Sequence, residues 1–414
     1  MALTEVSPQS PRPSSSGFAE APKTARLDWA NVIFLTLSPL AAIIGAVLYV
    51  HFRGFGLWEL GTLATMYFLT GMSITAGYHR LYSHKSYNCS RIVEFLYLVF
   101  GAAACENSAL LWSSDHRNHH QFVDQEDDPY NILKGGFYAH MGWILFKNKR
   151  SRELRFKNVP DLLRNPLVMW QDRWYLPLAV GVGFVLPTLW GWAWGHPLGG
   201  FLWGGLLRVV VVQHMTFLIN SAAHLYGKRP YSLANTARDS WWLGPLTFGE
   251  GYHNFHHKFP SDYRNGVRPH QFDITKWSLL LMRSVGLADN LRATPEALIL
   301  KARMEVQLAT LSDKFSPAPL PHGALAMLKT RLDSAKRSIE LAFASYQEAR
   351  RDYASARNAG SAQAREALAG TLRGRRTEFT DLARRWREAV GLLSRMPASS
   401  AQILTITAAL DLLK

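Results

Sequence analysis

Apolar residues along the chain form four runs, each long enough to cross a bilayer, which takes about 20 residues of helix. The runs occupy residues 30–50, 60–78, 175–195 and 199–219, and the segments between and after them are strongly polar. The mean hydropathy near zero therefore averages two different kinds of sequence. This pattern predicts an all-α membrane protein with four transmembrane helices and a large water-exposed part.

Two more apolar segments are less suited to crossing the bilayer. Residues 92–112 contain Glu94, Glu106 and Asn107. If this segment crossed, the histidines before it and after it would lie on opposite sides of the membrane. We therefore expect one helix that lies in or just under the membrane interface. The shorter segment at residues 277–285 is expected to do the same.

Lysines and arginines predict how the spans are oriented. The loop between the first two spans carries only Arg53, and the turn at residues 196–197 carries none. Residues 79–173, in contrast, carry thirteen. Because basic loops remain in the cytoplasm, both termini and the polar segments are expected on the cytoplasmic side.

The regions outside the spans differ in character. Residues 1–26 are rich in Pro, Ser and Ala and are expected to form a disordered tail, followed by the membrane domain at residues 27–300. Residues 301–321 are expected to be a linker. A helical extension follows at residues 322–414, in which apolar residues at steps of three and four predict a hairpin of two helices, 322–357 and 362–395.

Composition excludes two classes of protein. Cys89 and Cys105 are too few for a disulfide framework. The net charge of +15 could suggest nucleic-acid binding, but the basic residues are spread along the chain without a nucleic-acid-binding motif. We expect no nucleic-acid partner.

Histidine spacing indicates the chemistry. Nine of the fifteen histidines form four short groups: His79 and His84; His116, His119 and His120; His224; and His253, His256 and His257. A helix places residues i, i+3 and i+4 on one face, so each HxxHH can aim three ring nitrogens at one point. Nine ligands exceed what one metal ion accepts. The topology brings all nine to the cytoplasmic ends of the spans, which predicts a helical cap holding a site for two metal ions.

The ligand type favours redox iron over zinc, because structural zinc normally takes cysteine or a closed set of four ligands. Ligating histidines also need acceptors for their second ring nitrogen. The candidates beside the histidine groups are Asp115, Asp124, Asp127, Asp128, Glu250 and Asp262.

Four stretches around these histidines resemble the membrane acyl desaturases of the stearoyl-CoA (Δ9) type. They are ITAGYHRLYSHKSY, DHRNHHQFVDQEDDPYN, INSAAHLYGKRPY and GEGYHNFHHKFPSDYRNG. The resemblance covers about residues 28–285. It implies that the nine histidines bind two iron ions, that Asn220 holds a metal-bound water, and that the chain lies in a bacterial inner membrane. The implied reaction uses dioxygen and two electrons to place a cis double bond, Δ9 by analogy, in a saturated acyl chain.

The resemblance also implies substrate contacts, which are Tyr67, Gly71, Asn107, Trp112, Asp115, Lys147, Lys149 and Arg150. Tyr67 matches a tyrosine that closes the far end of the acyl tunnel, and Gly71 lies one turn nearer the metals. Acyl-CoA members carry an arginine and an aspartate before HxxHH. Here the aspartate is Asp115, but Ser114 stands at the arginine position. Acyl-CoA is therefore the favoured substrate and an acyl lipid such as a phospholipid the alternative.

No HPGG-type haem motif occurs in the sequence, so we expect neither haem nor flavin in this chain. Electrons would come from a separate donor such as ferredoxin and its reductase. Two other classes stay open: a di-iron membrane hydroxylase of alkanes or acyl chains, and a metal transporter or store. Transport sites normally lie near the bilayer midplane, whereas these histidines are predicted at span ends.

Overall fold

The computed structural model describes residues 26–147, 155–316, 323–397 and 411–412, so the predicted N-terminal tail lies almost wholly outside the described residues. The chain divides into two compact units, residues 1–229 with 233–293, and residues 230–232 with 294–414. The longer helices of the first unit are α1 (Trp29–Arg53), α2 (Leu57–Met72), α3 (Arg91–Ala102), α4 (Ala109–Phe122), α5 (Pro166–Arg173), α6 (Tyr175–Ala193), α7 (Pro197–Leu225), α8 (His253–Lys258) and α9 (Ile274–Ser284).

Shorter elements complete the first unit. Single helical turns lie at Ile132–Lys134, Tyr138–Gly142, Trp143–Leu145 and Leu243–Leu246. Four strands of two residues each form two antiparallel pairs: β1 (Arg26–Leu27) with β3 (Phe146–Lys147), and β2 (Asn88–Cys89) with β4 (Ala288–Asp289). Apart from these two short strand pairs, the regular structure of the described residues is helical, as the sequence predicts.

Three helices in the described part of the chain, α1, α6 and α7, are long and apolar enough to cross a membrane. They coincide with the first, third and fourth predicted spans and mark the chain as an integral membrane protein. Helix α2, at the second predicted span, is not among them. It continues into a π-helical segment, Ser73–Ser83, that buries polar residues such as Thr75 and Arg80. Four crossings therefore remain a prediction.

The expectation of one helix over residues 92–112 is wrong, because α3 and α4 are separate helices. Cys105 and Asn107 adopt positive φ angles of 58° and 78° between them, a conformation that no regular helix allows. Ser108 then begins α4, its Oγ accepting a hydrogen bond of 3.3 Å from the backbone N–H of Leu111. Such a break leaves no clear signal in hydrophobic periodicity. At residues 277–285, α9 supplies the predicted helix as far as Ser284, and its place at the membrane interface stays a prediction.

Arg208 lies inside α7 and is completely buried. Its guanidinium donates to three backbone carbonyls, those of Gly204 in its own helix, Gly183 in α6 and Ala103 after α3. A free charge in this environment would be costly, but donation to three carbonyl oxygens offsets that cost. The side chain thus ties three separate segments together.

The second unit contains α10 (Glu296–Phe315), α11 (Ala324–Asn358) and α12 (Ala362–Arg395). The predicted hairpin corresponds to α11 and α12. The predicted linker is wrong over residues 301–315, because α10 buries Met304, Leu311 and Phe315 in an apolar core with residues of both hairpin helices. Burying this apolar surface favours a third packed helix over a solvated connection.

Candidate metal centre

Four helical elements carry the nine histidines. His79 lies in the π-helical segment after α2, and His84 follows its end. Helix α4 carries His116, His119 and His120, α7 carries His224 near its end, and α8 carries His253, His256 and His257. Asp239 caps α8 by accepting hydrogen bonds from the backbone N–H groups of Asn254 (2.8 Å) and Phe255 (3.0 Å). Local hydrogen bonds therefore fix the direction in which this short helix points its rings.

The nine rings meet in two separate groups. The first histidine group contains His79, His84, His116, His120 and His256, and the second contains His119, His224, His253 and His257. Within each group, one ligand atom from every residue lies within 4.8 Å of all the others, so each group could hold a metal ion. The two HxxHH helices each contribute to both groups.

Ring nitrogens face one another at close range in the first histidine group. The Nε2 atoms of His79 and His256 lie 3.0 Å apart, and those of His84 and His116 lie 2.9 Å apart. His256 Nε2 is also 3.0 Å from His120 Nε2. In the second group, His257 Nε2 lies 3.0 Å from His253 Nε2 and 3.3 Å from His119 Nε2.

Acceptors on the other ring nitrogen favour a cation at these points. His119 Nδ1 lies 2.8 Å from an oxygen of Asp128, and His79 Nδ1 lies 2.9 Å from an oxygen of Glu250. A ring that donates its Nδ1–H to a carboxylate presents a lone pair at Nε2. Facing lone pairs repel unless a positive ion lies between them. The donor set therefore fits bound metal.

His224 also presents a free lone pair at Nε2, through a longer series of hydrogen bonds. Its Nδ1 lies 2.7 Å from Thr236 Oγ1, which donates its own proton to Asp124 at 2.7 Å. The hydroxyl can then only accept from His224, which leaves the Nε2 lone pair free. That buried Nε2 atom has no hydrogen-bond partner among the described residues.

A buried network of charges supports His79. Glu250 contacts His79 Nδ1 and receives two hydrogen bonds from Arg80, which also donates to Asp273. Arg80, Glu250 and Asp273 are each at most 2% exposed. Burial alone would raise the pKa of Glu250, but His79 and Arg80 more than offset it and hold that pKa below its usual range. Arg80 is a partner that spacing alone does not identify.

Burial, followed by repulsion between neighbouring rings, lowers the pKa of several of these histidines well below the usual 6.5: His84, His116, His120, His253, His256 and His257. Metal ligation requires the neutral imidazole. The site therefore holds the rings in the protonation state that binds metal.

A cavity of about 640 Å³ reaches the first histidine group. Two of its histidines, His79 and His116, line the wall, together with apolar side chains from α1, α6 and α7. Four residues predicted from the sequence also line it: Asn107, Trp112, Asp115 and Asn220. A long apolar ligand could therefore lie beside this group.

Glu106 lines the cavity wall. In the sequence it stands out only as a polar residue within the apolar segment 92–112. Its carboxyl accepts hydrogen bonds from Thr216 Oγ1 at 2.8 Å and from Trp112 Nε1 at 3.2 Å. Burial raises the pKa of Glu106 to about 8, although both hydrogen bonds lower it. The carboxyl is therefore mostly neutral at pH 7, which suits an otherwise apolar wall.

Tyr67 and Gly71 are not among the residues that line this cavity, and their place at the far end of an acyl tunnel stays a prediction. The Tyr67 ring packs on Phe248, and its hydroxyl donates to the carbonyl of Leu246 at 2.7 Å. A Cβ atom added at Gly71 would lie only 2.2 Å from the Phe248 ring. Both residues face the segment between α7 and α8. Lys147 lies in β3, and Lys149 and Arg150 lie outside the described residues.

Comparison with known proteins agrees with this site. The sequence profile of the fatty acid desaturase family matches residues 55–276. That stretch covers more than half of the chain and contains all nine histidines. The protein thus belongs to a class of membrane proteins that carry histidine-rich metal sites, and its family is the fatty acid desaturases.

Individual relatives act on different acyl carriers, according to their names. The chain is 42% identical over 246 residues to "Acyl-CoA desaturase 1" of Saccharomyces cerevisiae, covering 58% of this chain and 48% of the yeast protein. It is 33% identical over 281 residues to "sn-2 palmitoyl-lipid 9-desaturase" of Nostoc sp., covering 67% of this chain and 94% of that protein. It is 35% identical over 277 residues to "Stearoyl-CoA desaturase 4" of Mus musculus, covering 66% and 77%. The chain thus spans about half the length of the yeast relatives it matches.

Proposed function

We propose that this chain is an oxygen-dependent fatty acyl desaturase that introduces a cis double bond, at Δ9, into a saturated acyl chain. The observation that carries this proposal is the meeting of one histidine group with the wall of a largely apolar cavity of about 640 Å³. Acyl-CoA is the favoured substrate and an acyl lipid the alternative, since relatives of both kinds are known by name.

Two iron ions would be held by the first and second histidine groups, with Asn220 contributing to the second through a water molecule. When bound, they would supply the oxidant for a methylene C–H bond, which no side chain can break by acid–base chemistry. The chain's own residues have other tasks. Glu250, Asp128 and Thr236 orient the rings from behind.

The cavity wall would select and hold the acyl chain. Trp112 stacks on His116 with ring centroids 4.9 Å apart, so an acyl chain against this indole lies beside a predicted metal ligand. Neutral Glu106 fixes the indole through its Nε1–H. Holding the acyl chain in one pose beside the metals would select one pair of carbon atoms for the reaction.

Electrons would come from a separate donor such as ferredoxin and its reductase. The positive-inside pattern supports an orientation in a bacterial inner membrane in which the metal centre and both termini face the cytoplasm. There a soluble donor could reach the site.

The test is to supply the purified protein with iron, dioxygen, an electron donor and either stearoyl-CoA or a distearoyl phospholipid, and to analyse the acyl chains. We expect a cis monounsaturated product, and mass spectrometry after derivatisation would locate the double bond. Hydroxylated product from every substrate would contradict the proposal and favour a membrane hydroxylase.

A further inference from the structure

The cavity wall contains two charged groups that the reaction chemistry does not use. Arg155 and Asp115 both line it, although 40 positions separate them in the sequence. Arg155 Nε is buried and has no hydrogen-bond partner among the described residues, and the same is true of Asp115 Oδ1. Within the described part of the chain, no ion pair joins these two residues. The wall thus presents an unsatisfied donor and an unsatisfied acceptor.

Unsatisfied buried groups of this kind cost free energy, and folded proteins leave few of them. A guanidinium offers a planar set of N–H donors that matches phosphate oxygens. An unpaired carboxylate oxygen nearby accepts from a hydroxyl or amine. The two groups together suit a ligand that carries a phosphate beside hydrogen-bond donors.

Ser114 explains how Arg155 reaches this position. The buried Ser114 hydroxyl donates to Asn158 Oδ1 at 3.0 Å and accepts from the backbone N–H of Phe156 at 3.0 Å. Asn158 Nδ2 returns a hydrogen bond of 2.9 Å to the Ser114 carbonyl. Three hydrogen bonds therefore fasten the segment that follows Arg155 directly to α4, one residue before Asp115.

The same segment is fixed from two more directions. Arg117 donates to the carbonyl of Asn158 at 2.7 Å and pairs with Asp161. Phe156 adopts a positive φ of 66°, which turns the backbone immediately after Arg155. Because a bulky residue rarely adopts this conformation, the surrounding contacts must hold it. Arg155 is therefore presented by an ordered loop.

We propose that Arg155 binds a phosphate group of the acyl carrier and that Ser114 is the positioning residue that presents it. Ser114 stands where the resembled acyl-CoA desaturases carry an arginine. In this chain a serine at that position holds a loop whose arginine lines the same cavity wall as Asp115. The inference rests on the proposed function, and it names the residue that recognises the head group.

The first experiment measures equilibrium binding of stearoyl-CoA and of phosphate-free stearoyl-pantetheine to metal-free protein in detergent. Arg155→Ala should weaken stearoyl-CoA binding about tenfold to a hundredfold, the loss expected for a charge-assisted hydrogen bond, and leave stearoyl-pantetheine unchanged. Arg155→Lys keeps the charge and should recover part of the loss. Ser114→Ala should show the same selectivity with a smaller loss.

Lys157→Ala is the matched control, because Lys157 is exposed on the same loop and carries the same charge. It should bind both thioesters as the wild type does. A parallel pair, distearoyl phosphatidic acid and distearoylglycerol, distinguishes the source of the phosphate. Selective loss in the thioester pair identifies a CoA phosphate, and selective loss in the lipid pair identifies a lipid head group.

The inference is overturned if Arg155→Ala matches Lys157→Ala with every ligand, if it weakens phosphate-bearing and phosphate-free ligands equally, or if the wild type shows no preference for phosphate-bearing ligands. Failure of the proposed function is a separate outcome. Wild-type protein would then bind stearoyl-CoA in an Arg155-dependent way but form no double bond when supplied with iron, dioxygen and electrons.

Discussion

The two histidine groups share two helices but differ in their surroundings. The first group has five rings, two of which line the cavity. The second has four rings, and none of them is among the cavity-lining residues. Asn220, one turn before His224 in α7, lines the cavity. In our proposal, histidines complete the first site, which faces the substrate space, whereas the second leaves a coordination position to Asn220 and water.

The supports behind the rings differ as well. Behind the first group, Glu250 belongs to a buried network with Arg80 and Asp273. Behind the second, Asp128 contacts His119 directly and Asp124 acts through Thr236. A buried arginine joins the two carboxylates behind the first group, whereas, among the described residues, the two carboxylates behind the second are linked only by the backbone N–H of Asp124, which donates to Asp128 at 3.1 Å. We therefore expect a substitution behind the first histidine group to disturb more of its site than one behind the second.

Removing one ring from each group should have the largest effect. His256→Ala and His253→Ala change neighbouring turns of the same helix but opposite groups. Each should abolish desaturation and reduce iron from about two ions per chain to about one, because each removes a ligand that contacts other rings in its group. Elemental analysis and Mössbauer spectra would show a different iron lost in each variant.

His270→Ala is the control for these variants, since His270 is exposed and belongs to neither group. It should keep both iron ions and full activity. If His256→Ala and His253→Ala lost the same iron signal, the division into two sites would be wrong.

Changing one acceptor behind each group tests how far damage spreads. Glu250→Gln and Asp128→Asn should each lower activity or iron affinity by about 10- to 100-fold, as expected for groups that orient a ligand. The loss should be greater for Glu250→Gln, because it also removes the charge that faces Arg80. Iron retention during dialysis against a chelator measures both. Equal losses of iron in Glu250→Gln and Asp128→Asn would contradict the proposed difference between the supports behind the two histidine groups.

Raising the pH tests the cavity side of the comparison through Glu106. Its pKa of about 8 means that at pH 9 only about a tenth of the molecules keep the neutral acid. The apparent KM should then rise by up to about tenfold as charge enters the apolar wall. Glu106→Gln should remove this rise.

The free energy of unfolding should also depend on the protonation of Glu106, and it should fall as the pH rises. The pKa is raised on folding, so the unfolded chain ionises first, and stability contributed by the neutral acid falls as pH rises from about 4.5 to about 8. Thermal unfolding of wild type and Glu106→Gln at pH 5, 7 and 9 measures this. A wild-type pH profile that matches the Gln variant would show that Glu106 is ionised throughout.

The smallest effect is expected at Asn220, which we propose contributes to the second histidine group through a water molecule. Asn220→Ala should weaken iron binding there by about two- to tenfold, the range for one ordinary hydrogen bond, and leave the first site unchanged. Ile219→Ala changes another cavity-lining residue without a polar atom and serves as the control. Loss of the first-site iron in Asn220→Ala would contradict the assignment.

The chemistry-bearing residues were predictable because their signal is local. HxxHH on a helix aims its rings in one direction. The carboxylates beside the boxes include Asp128 and Glu250, which contact ring nitrogens, and Asp124, which reaches His224 through Thr236. The division into two groups was not predictable, since it mixes rings from four distant elements. The helical extension was predictable from its periodicity, but the helix replacing its linker was not.

Residues whose partners are distant in sequence escaped prediction for a physical reason. The partners of Arg208 are backbone carbonyls, which every residue has and no pattern marks. Arg155 reaches the cavity wall that Asp115 also lines because Ser114 holds the loop that follows Arg155. Tyr67 was assigned to the tunnel by resemblance, and that role stays a prediction, with its ring packed on Phe248.

Arg208 also bears on how the protein is assembled during synthesis. Placing an arginine at the centre of a membrane helix costs about 2.5–3.5 kcal/mol for insertion. All three of its acceptors precede it in the chain, and two of them, on Gly183 and Ala103, belong to segments before α7. When α7 leaves the ribosome, α6 and the end of α3 have already been made and can receive the charge. A fragment starting at α6 would lack the Ala103 carbonyl and should insert poorly. The Arg208 side chain therefore makes the membrane insertion of α7 depend on a segment made before α6.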